Sequence, residues 1–143
     1  MLVIASDHAG YPLKEFLKKH LADRGLPCLD LGADNESSCD YPVFGRKAAE
    51  MVAAHPGARG IVICGTGVGI SIAANKVKGI RCVVCTETCS ALLARQHNNA
   101  NMLALGARVI GEEQARCIAD AFLDAAFDGG ERHERRVALL DGM

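Results

Sequence analysis

Short apolar runs alternate with segments of helical periodicity along the whole chain. Five runs predict strands, at residues 2–5, 28–31, 61–63, 80–85 and 102–105. The segments between them repeat apolar residues every three or four positions, as helices do when they cover a sheet. Strands that alternate with helices in this way form a parallel sheet with helices on both faces. The pattern therefore predicts an α/β protein, a three-layer α/β/α sandwich around a five-stranded parallel sheet.

The predicted helices begin and end at prolines and glycines. One begins near Pro12 and ends at Gly25, and the next begins at Tyr41 and ends at Pro56 and Gly57. Shorter helices are expected over residues 70–74 and 90–97. A long final helix should turn six apolar side chains inward: Ala115, Ile118, Ala119, Phe122, Leu123 and Ala126. No linker, repeat or low-complexity segment interrupts the pattern, which predicts one Rossmann-like domain over residues 1–143.

Composition and charge exclude several classes of protein. The chain has 143 residues, of which 50% are apolar, and a formal net charge of -1. A general binder of nucleic acid or of membrane surfaces would show a basic excess or a basic face. No apolar run approaches the roughly 20 residues that span a bilayer, and no charged region precedes the N-terminal apolar stretch. We therefore expect a cytoplasmic protein without a nucleic-acid or membrane partner.

The seven cysteines do not predict a disulfide framework. Their number is odd, no export signal is visible, and the apolar content is high enough for a core. Cys82 and Cys85, followed by Cys89, resemble half of a metal site. Burial as small apolar side chains is the favoured interpretation, because no second pair of ligands stands at a suitable spacing. We expect no metal.

The strongest candidate for chemistry is the glycine-rich segment that begins at Cys64. Its spacing, Cys-Gly-Thr-Gly-Val-Gly, fits neither the phosphate loop of nucleotide-binding proteins nor the dinucleotide fingerprint. Alternate glycines let the chain approach a ligand closely, and a helix that follows presents free N–H groups to an anion. The same helix start favours the thiolate form of Cys64. The segment therefore predicts an anion site that contains a reactive thiol.

Polar residues follow several of the predicted strands. Asp7 and His8 follow the first, Cys64 follows the third, and Arg108 lies after the fifth. In parallel sheets the ligand crevice lies beyond the carboxyl ends of the strands, where the strand order reverses. If the order reverses between the first and third strands, a carboxylate, an imidazole and a thiol converge there. Asp7 and His8 could equally be a helix cap and a surface histidine.

Two further polar clusters lie away from these strand ends. His97 stands near the end of a predicted helix, where it could simply cap that end. Near the C-terminus, Arg132 and Arg136 share one face of a helix, with His133 beside them. Basic residues in a first helical turn are unfavourable unless an anion binds there. From composition alone, a solvated charged tail is the favoured interpretation of this segment.

Taken together, the motifs resemble those of the type B ribose-5-phosphate isomerases, in the same order over nearly the whole chain. The matching segments are Asp-His-Ala-Gly at residues 7–10, Asp-Tyr-Pro at 40–42, the run at 64–76, Arg-Gln-His-Asn at 95–98, Asn101, Gly-Ala-Arg at 106–108, Arg-His at 132–133 and Arg-Val at 136–137. The wider family also contains galactose-6-phosphate and allose-6-phosphate isomerases. The resemblance implies a homodimer, or a dimer of dimers, whose active sites draw residues from two subunits.

The resemblance also implies catalytic roles. Cys64 corresponds to the thiolate that moves a proton between neighbouring sugar carbons through an enediolate, in aldose–ketose isomerisation. Thr66 corresponds to a hydroxyl near the sugar oxygens, and His97 with Asp7 to the residues implicated in ring opening. Asn98 would help to hold the open chain. The enediolate charge would be stabilised by the amides of the glycine loop, at Gly65, Thr66, Gly67, Val68 and Gly69.

Substrate phosphate would be bound by basic residues from several elements, because arginine and histidine donors suit phosphate oxygens. The corresponding residues are His8, Arg108, Arg132, His133 and Arg136, some of them from the partner subunit. Tyr41 corresponds to a residue that lines the substrate pocket, although packing before Pro42 explains it as well. Some relatives have a glutamate as base where this chain has Ile70, so the resemblance is to the cysteine type. No cofactor is implied.

Two other functions remain open at this point. A flavodoxin-like or nucleotide-sensing binding module would use the glycine loop but leave Cys64, His97 and the C-terminal arginines without a role. A non-catalytic or partner-dependent subunit of a hexose-phosphate isomerase is the second. The preference among ribose, allose and galactose phosphates depends on pocket depth, which the sequence does not reveal.

Overall fold

All five predicted strands form one parallel sheet. The structure, a computed structural model, describes all 143 residues. The strands are β1 (Leu2–Ser6), β2 (Leu29–Asp30), β3 (Arg59–Cys64), β4 (Cys82–Val84) and β5 (Met102–Gly106). The helices are α1 (Tyr11–Asp23), α2 (Tyr41–Ala54), α3 (Val68–Asn75), α4 (Thr88–Asn98), α5 (Glu112–Asp124) and α6 (Glu131–Asp141). The predicted α/β fold class is confirmed.

The strand order, β2-β1-β3-β5-β4, reverses direction between β1 and β3. Ser6 at the end of β1 lies opposite Ile63 in β3, one residue before Cys64. Cys64 lies opposite Gly106 at the end of β5. The loops that follow β1, β3 and β5 therefore meet at the carboxyl end of the sheet. The reversal between β1 and β3 is the one that the convergence of Asp7, His8 and Cys64 requires.

Side chains of alternate residues in the central strands pack into two apolar layers, one on each face of the sheet. On one face Ile4, Ile61 and Leu103 pack with side chains from α1, α4 and α5. On the other face Val3 and Val62 pack with side chains from α2 and α3. This period of two places helices on both sides of the sheet and forms the predicted three layers. No helix here combines the length and the apolar character that crossing a lipid bilayer demands.

Some predicted details differ from the structure. β2 covers only Leu29–Asp30 and β4 only Cys82–Val84, because each is an edge strand that bonds to a single neighbour. Ala126 is exposed and lies beyond the end of α5, where the backbone is already extended at Ala125. The same helical pattern would place Val43 on the apolar face of α2 with Ala48 and Val52, but Val43 is 62% exposed. The basic C-terminal segment forms α6.

A buried lysine joins α1 to the loop after β2. Lys14 is fully buried, and its Nζ donates hydrogen bonds to Asp30 Oδ1 at 2.7 Å and to the Ala33 carbonyl at 2.5 Å. Lys18 donates to the other oxygen of Asp30 at 2.7 Å. Burial raises the pKa of Asp30, but the two ammonium groups and the Gly32 amide more than offset it, so the net pKa is lowered. The ion pair of Lys14 with Asp30 anchors the start of the loop that reaches Cys39.

Candidate active site

Cys64 occupies the end of β3, at the edge where the three loops meet. Its side chain is buried, and its sulfur accepts the backbone N–H of Gly67 at 3.1 Å. Gly67 has a left-handed backbone with φ of 79°, which turns the chain back toward the sulfur and begins α3. An N–H donated to sulfur, at the positive end of a helix, stabilises negative charge on the thiol.

The amides of the glycine loop divide into two sets. Gly67 donates to the sulfur of Cys64, and Val68 donates to the hydroxyl oxygen of Thr66 at 3.2 Å. These two amides are therefore already engaged, contrary to the expectation that the whole loop faces a ligand. The amides of Gly65, Thr66, Gly69 and Ile70 donate to no group of the chain. Free amides at a helix start form an anion-binding surface, here beside the thiol.

Tyr41 and Arg108 flank the loop. The ring of Tyr41 lies against Gly69, so close that a Cβ built on that glycine would be 2.5 Å from the ring carbon Cζ. Arg108 lies over Gly65, with Nη1 3.4 Å from a Cβ built there, and its own amide donates to the Gly65 carbonyl at 2.9 Å. Both side chains are exposed. They flank the segment of the loop that carries the free amides.

Asp7 and His8 lie in the neighbouring loop. Asp7 is buried, and its Oδ1 accepts the amide of Gly10, the residue before α1, at 3.0 Å, which closes the turn that leads into that helix. His8 Nδ1 accepts the backbone N–H of Cys39 at 3.2 Å. Since this nitrogen is an acceptor, the ring of His8 carries its proton on Nε2, where it can donate to an anion. Cys39 had no predicted role, because only the fold brings it to a residue 31 positions earlier.

The second group of predicted site residues lies at the end of α4 and the start of α6. The rings of His97 and His133 stack with centroids 4.5 Å apart and an interplanar angle of 9°. Asp128 is nearby, and its amide donates to the Gln96 carbonyl at 3.0 Å, which fixes the loop before α6 to α4. Arg132 and Arg136 are exposed on α6. The C-terminal basic segment is therefore folded against α4 rather than extended as a tail.

The two groups lie at opposite edges of the sheet. α4 begins just after the carboxyl end of β4 and runs back for 11 residues, about 16 Å at 1.5 Å per residue. His97 and Asn98 therefore lie at the amino edge, near the start of β5, while Cys64 lies at the carboxyl edge. The expected pairing of Asp7 with His97 is not formed within one chain.

One cluster has the side chains to hold a metal ion. The ligand atoms of His97, Asp128 and His133 all lie within 4.8 Å of one another. The parallel stack of the two rings is not a coordination geometry, because ligand nitrogens converge on a metal from different directions.

Among the cysteines, burial raises the pKa of Cys82 to about 12 and that of Cys85 to about 11, which keeps both thiols protonated.

Known proteins resemble the chain over its whole length. The family model described as Ribose/Galactose Isomerase matches residues 2–140. Ribose-5-phosphate isomerase B of Escherichia coli is 49% identical over 142 residues, 99% of this chain and 95% of that protein. A solved structure of ribose-5-phosphate isomerase B from Clostridium thermocellum is 51% identical, with a TM-score of 0.95 over 99% of this chain and 95% of that one.

A third similar protein was solved with a sugar phosphate bound. It is ribose-5-phosphate isomerase B of Mycoplasma genitalium with ribulose-5-phosphate, 40% identical, with a TM-score of 0.93 over 99% of this chain and 93% of that one. The sequence motifs, the sheet order and these matches agree. The chain belongs to the ribose/galactose isomerase family.

Proposed function

We propose that the chain interconverts D-ribose 5-phosphate and D-ribulose 5-phosphate, as an enzyme of the pentose phosphate pathway in the cytoplasm. The observation that carries this proposal is the pairing of a buried cysteine with free backbone amides at a helix start. Support comes from relatives named ribose-5-phosphate isomerase B and from the ribulose-5-phosphate bound to one of them.

In the proposed mechanism Cys64 is the base. Its thiolate removes the proton from C2 of the open-chain aldose, and the electron pair left on that carbon forms the C1–C2 double bond of an enediolate. The negative charge moves to the substrate oxygens, where the amides of Gly65, Thr66 and Gly69 can stabilise it. The Cys64 thiol then returns the proton to C1, and the hydroxyl proton of O2 moves to O1 as the ketose forms. The Thr66 hydroxyl can relay that proton.

Phosphate recognition follows from basic groups that lie beside the thiol loop and on α6. The Nε2 proton of His8 is free to donate, because Nδ1 is held by the Cys39 amide. Arg108 has its guanidinium beside the loop. On α6, Arg132 and Arg136 present exposed guanidinium groups next to His133. Guanidinium forks match phosphate oxygens in two-point contacts, which favours these residues as the phosphate site.

We further propose that each active site is shared by two copies of the chain. A single chain separates Cys64 from His97 by the length of α4, although the two residues have complementary roles in ring opening and proton transfer. Exposed apolar side chains also surround the thiol loop, with Val68 at 50%, Ile72 at 55% and Val84 at 43% exposure. A face of this kind is typical of a surface that another protein covers. A homodimer, alone or as half of a dimer of dimers, joins the two half-sites.

The decisive test is the rate of ribulose 5-phosphate formation by the purified chain in the presence of a chelator. We expect turnover by the wild type, and a loss of at least about 1,000-fold in kcat for Cys64→Ala, because no other group is placed to act as the base. Cys89→Ala is the matched control, since Cys89 is exposed at the start of α4. Near-normal turnover of Cys64→Ala would exclude the proposed base.

Other outcomes decide between the alternatives. Turnover of allose or galactose 6-phosphate in place of ribose 5-phosphate would assign the chain to another branch of the family. Binding of a sugar phosphate without any turnover would support a binding module or a subunit that lacks its partner.

Sharing of the site is tested by unfolding two inactive variants together and refolding the mixture, so that mixed dimers form. Cys64→Ala supplies an intact His97, and His97→Ala supplies an intact Cys64. In a shared site, every mixed dimer contains one complete set, so random mixing restores about one quarter of the wild-type activity. If each chain carried its own complete site, the refolded mixture would stay inactive. The variants mixed without unfolding, so that subunits do not exchange, are the control.

A further inference from the structure

A polar cavity lies at the amino end of the sheet, opposite the end that carries the thiol. It has a volume of about 340 Å³ and is lined by residues from the ends of α2 and α4 and the starts of β3 and β5. Its charged side chains are Arg59, Arg81 and Arg95, with His55 and the amides Asn99 and Asn101 nearby. No aspartate or glutamate lines it. Three guanidinium groups around a cavity without a carboxylate form a strongly positive site.

Arg95 is the most unusual of the three. It is 6% exposed, forms no ion pair, and its Nε has no hydrogen-bond partner. Among its nitrogens only Nη1 donates hydrogen bonds, to Asn99 Oδ1 at 3.1 Å and to the Ala100 carbonyl, while the guanidinium carbon lies 5.7 Å from the centroid of the Phe122 ring. Burial lowers the pKa of Arg95 to about 10, and the charges of Arg59 and Arg81 add to the effect. A buried cation that is repelled by two neighbours is costly unless an anion neutralises it.

The other two arginines leave most of the charge uncompensated. Arg59 donates from Nη1 to the Leu123 carbonyl at 2.5 Å and has no carboxylate partner. Arg81 donates to the Asn99 carbonyl at 3.0 Å and pairs with Asp141 at 2.6 Å. Asp141 is therefore the only carboxylate paired with the cluster. Each guanidinium has five N–H donors, so many of them are available to a ligand.

We infer that this cavity is a second anion site, separate from the catalytic one, which binds a phosphate group between Arg59, Arg81 and Arg95. Phosphate suits the site because two negative charges offset the excess of the cluster, and its oxygens accept forked guanidinium contacts. Free phosphate and the phosphate group of a small ester share this chemistry, and the cavity is larger than one phosphate. Arg95 lies two residues before His97, so a bound anion also holds the helix end that carries that histidine.

The test is calorimetric titration with inorganic phosphate, against potassium chloride at the same ionic strength. The catalytic phosphate site is first weakened with the double variant Arg132→Ala and Arg136→Ala, which leaves His8 and Arg108 in place. We expect phosphate still to bind to this double variant, and Arg59→Gln added to it to weaken binding about tenfold, as loss of one charge-assisted contact does. Arg95 is left in place, because its replacement would open the core.

The matched control is Arg46→Gln, which removes an exposed arginine that pairs only with Glu50 on α2. It should leave phosphate affinity unchanged. Loss of all phosphate binding in the double variant would overturn the inference, as would equal affinity with and without Arg59→Gln. These outcomes are independent of the isomerase assay. Titration with glycerol 3-phosphate separates the two sources, because tighter binding than phosphate indicates an ester and weaker binding indicates the free ion.

Thermal unfolding gives a second measurement on the same variants. In chloride alone, Arg59→Gln should raise the unfolding temperature, because it removes repulsion from Arg95. Added phosphate should stabilise the chain that retains Arg59 more than the Arg59→Gln variant, and so close or reverse the difference in their unfolding temperatures. A merely structural role for Arg59, as a donor to the Leu123 carbonyl, predicts the opposite sign in chloride.

Discussion

Gly69→Ala is expected to separate activity from stability, because of the way Tyr41 lies on the glycine loop. A Cβ at residue 69 would be 2.5 Å from Tyr41 Cζ and 2.9 Å from its hydroxyl oxygen. Carbon atoms in contact lie about 3.5 to 4.0 Å apart, so the ring must retreat by about 1 Å or more. The methyl group therefore displaces the aromatic ring that lies on the glycine loop, without adding or removing a polar group.

The fold should tolerate the change. Tyr41 is 40% exposed, so its ring can move toward solvent. Gly69 is already helical within α3, where alanine is favoured over glycine by up to about 1 kcal/mol. The free energy of unfolding should thus stay equal or rise slightly. Catalysis should suffer, because a misplacement of about 1 Å in a site can cost about 100-fold in rate.

The assay is kcat/KM for ribose 5-phosphate in a double-mutant cycle with Tyr41→Ala, alongside chemical denaturation of each variant. We expect Gly69→Ala to lower kcat/KM by about 10- to 100-fold in the wild-type background and by less than about threefold when Tyr41 is absent. An equal loss in both backgrounds would refute the reasoning, because it would mean that the methyl blocks the Gly69 amide directly. So would a large loss of stability.

Two other predictions concern the support of the site and its phosphate contacts. Asp30→Asn should lower the free energy of unfolding by about 3 kcal/mol, the lower end for a broken buried pair, because the buried Lys14 ammonium is left with neutral acceptors only while residue 30 is 23% exposed. The pKa of Asp30 is lowered in the folded state, so the wild type loses this advantage as the pH falls through that pKa. The free energies of unfolding of the two proteins should therefore converge in acid. A difference that stays constant with pH contradicts the pairing. Arg136→Ala should raise KM about tenfold and leave kcat nearly unchanged, with Arg135→Ala as the control, and unchanged kinetics would remove Arg136 from the phosphate site.

The sequence was sufficient to predict the part of the site that depends on strand ends. Apolar runs locate β1 and β3, and the right-handed crossover rule brings their carboxyl ends together, so Asp7 and Cys64 could be placed at one edge before any coordinates. The glycine spacing after Cys64 also predicted the free amides. It could not show that Thr66 engages the Val68 amide, which is a matter of side-chain rotation within the loop.

Contacts between distant positions were beyond the sequence. Periodicity treats Lys14 as a polar, exposed residue, yet it is fully buried because Asp30 and the Ala33 carbonyl arrive from the loop after β2. His8 receives the amide of Cys39 for the same reason. A pattern along the chain reports which face a residue prefers, whereas these partners are selected by tertiary packing.

The arginines at the amino edge have a competing structural explanation, and their contacts show how far it reaches. Helices end with free carbonyl groups, and basic side chains commonly bind them. Arg59 does so at the Leu123 carbonyl in the last turn of α5, and Arg95 binds the Ala100 carbonyl just beyond α4, which accounts for one nitrogen of each. Capping does not account for the unpartnered Nε of Arg95, nor for three positive charges against the single carboxylate of Asp141. A capping role alone would need only one arginine at each helix end. Three arginines that face a common cavity repel one another, and a bound anion converts that repulsion into binding energy.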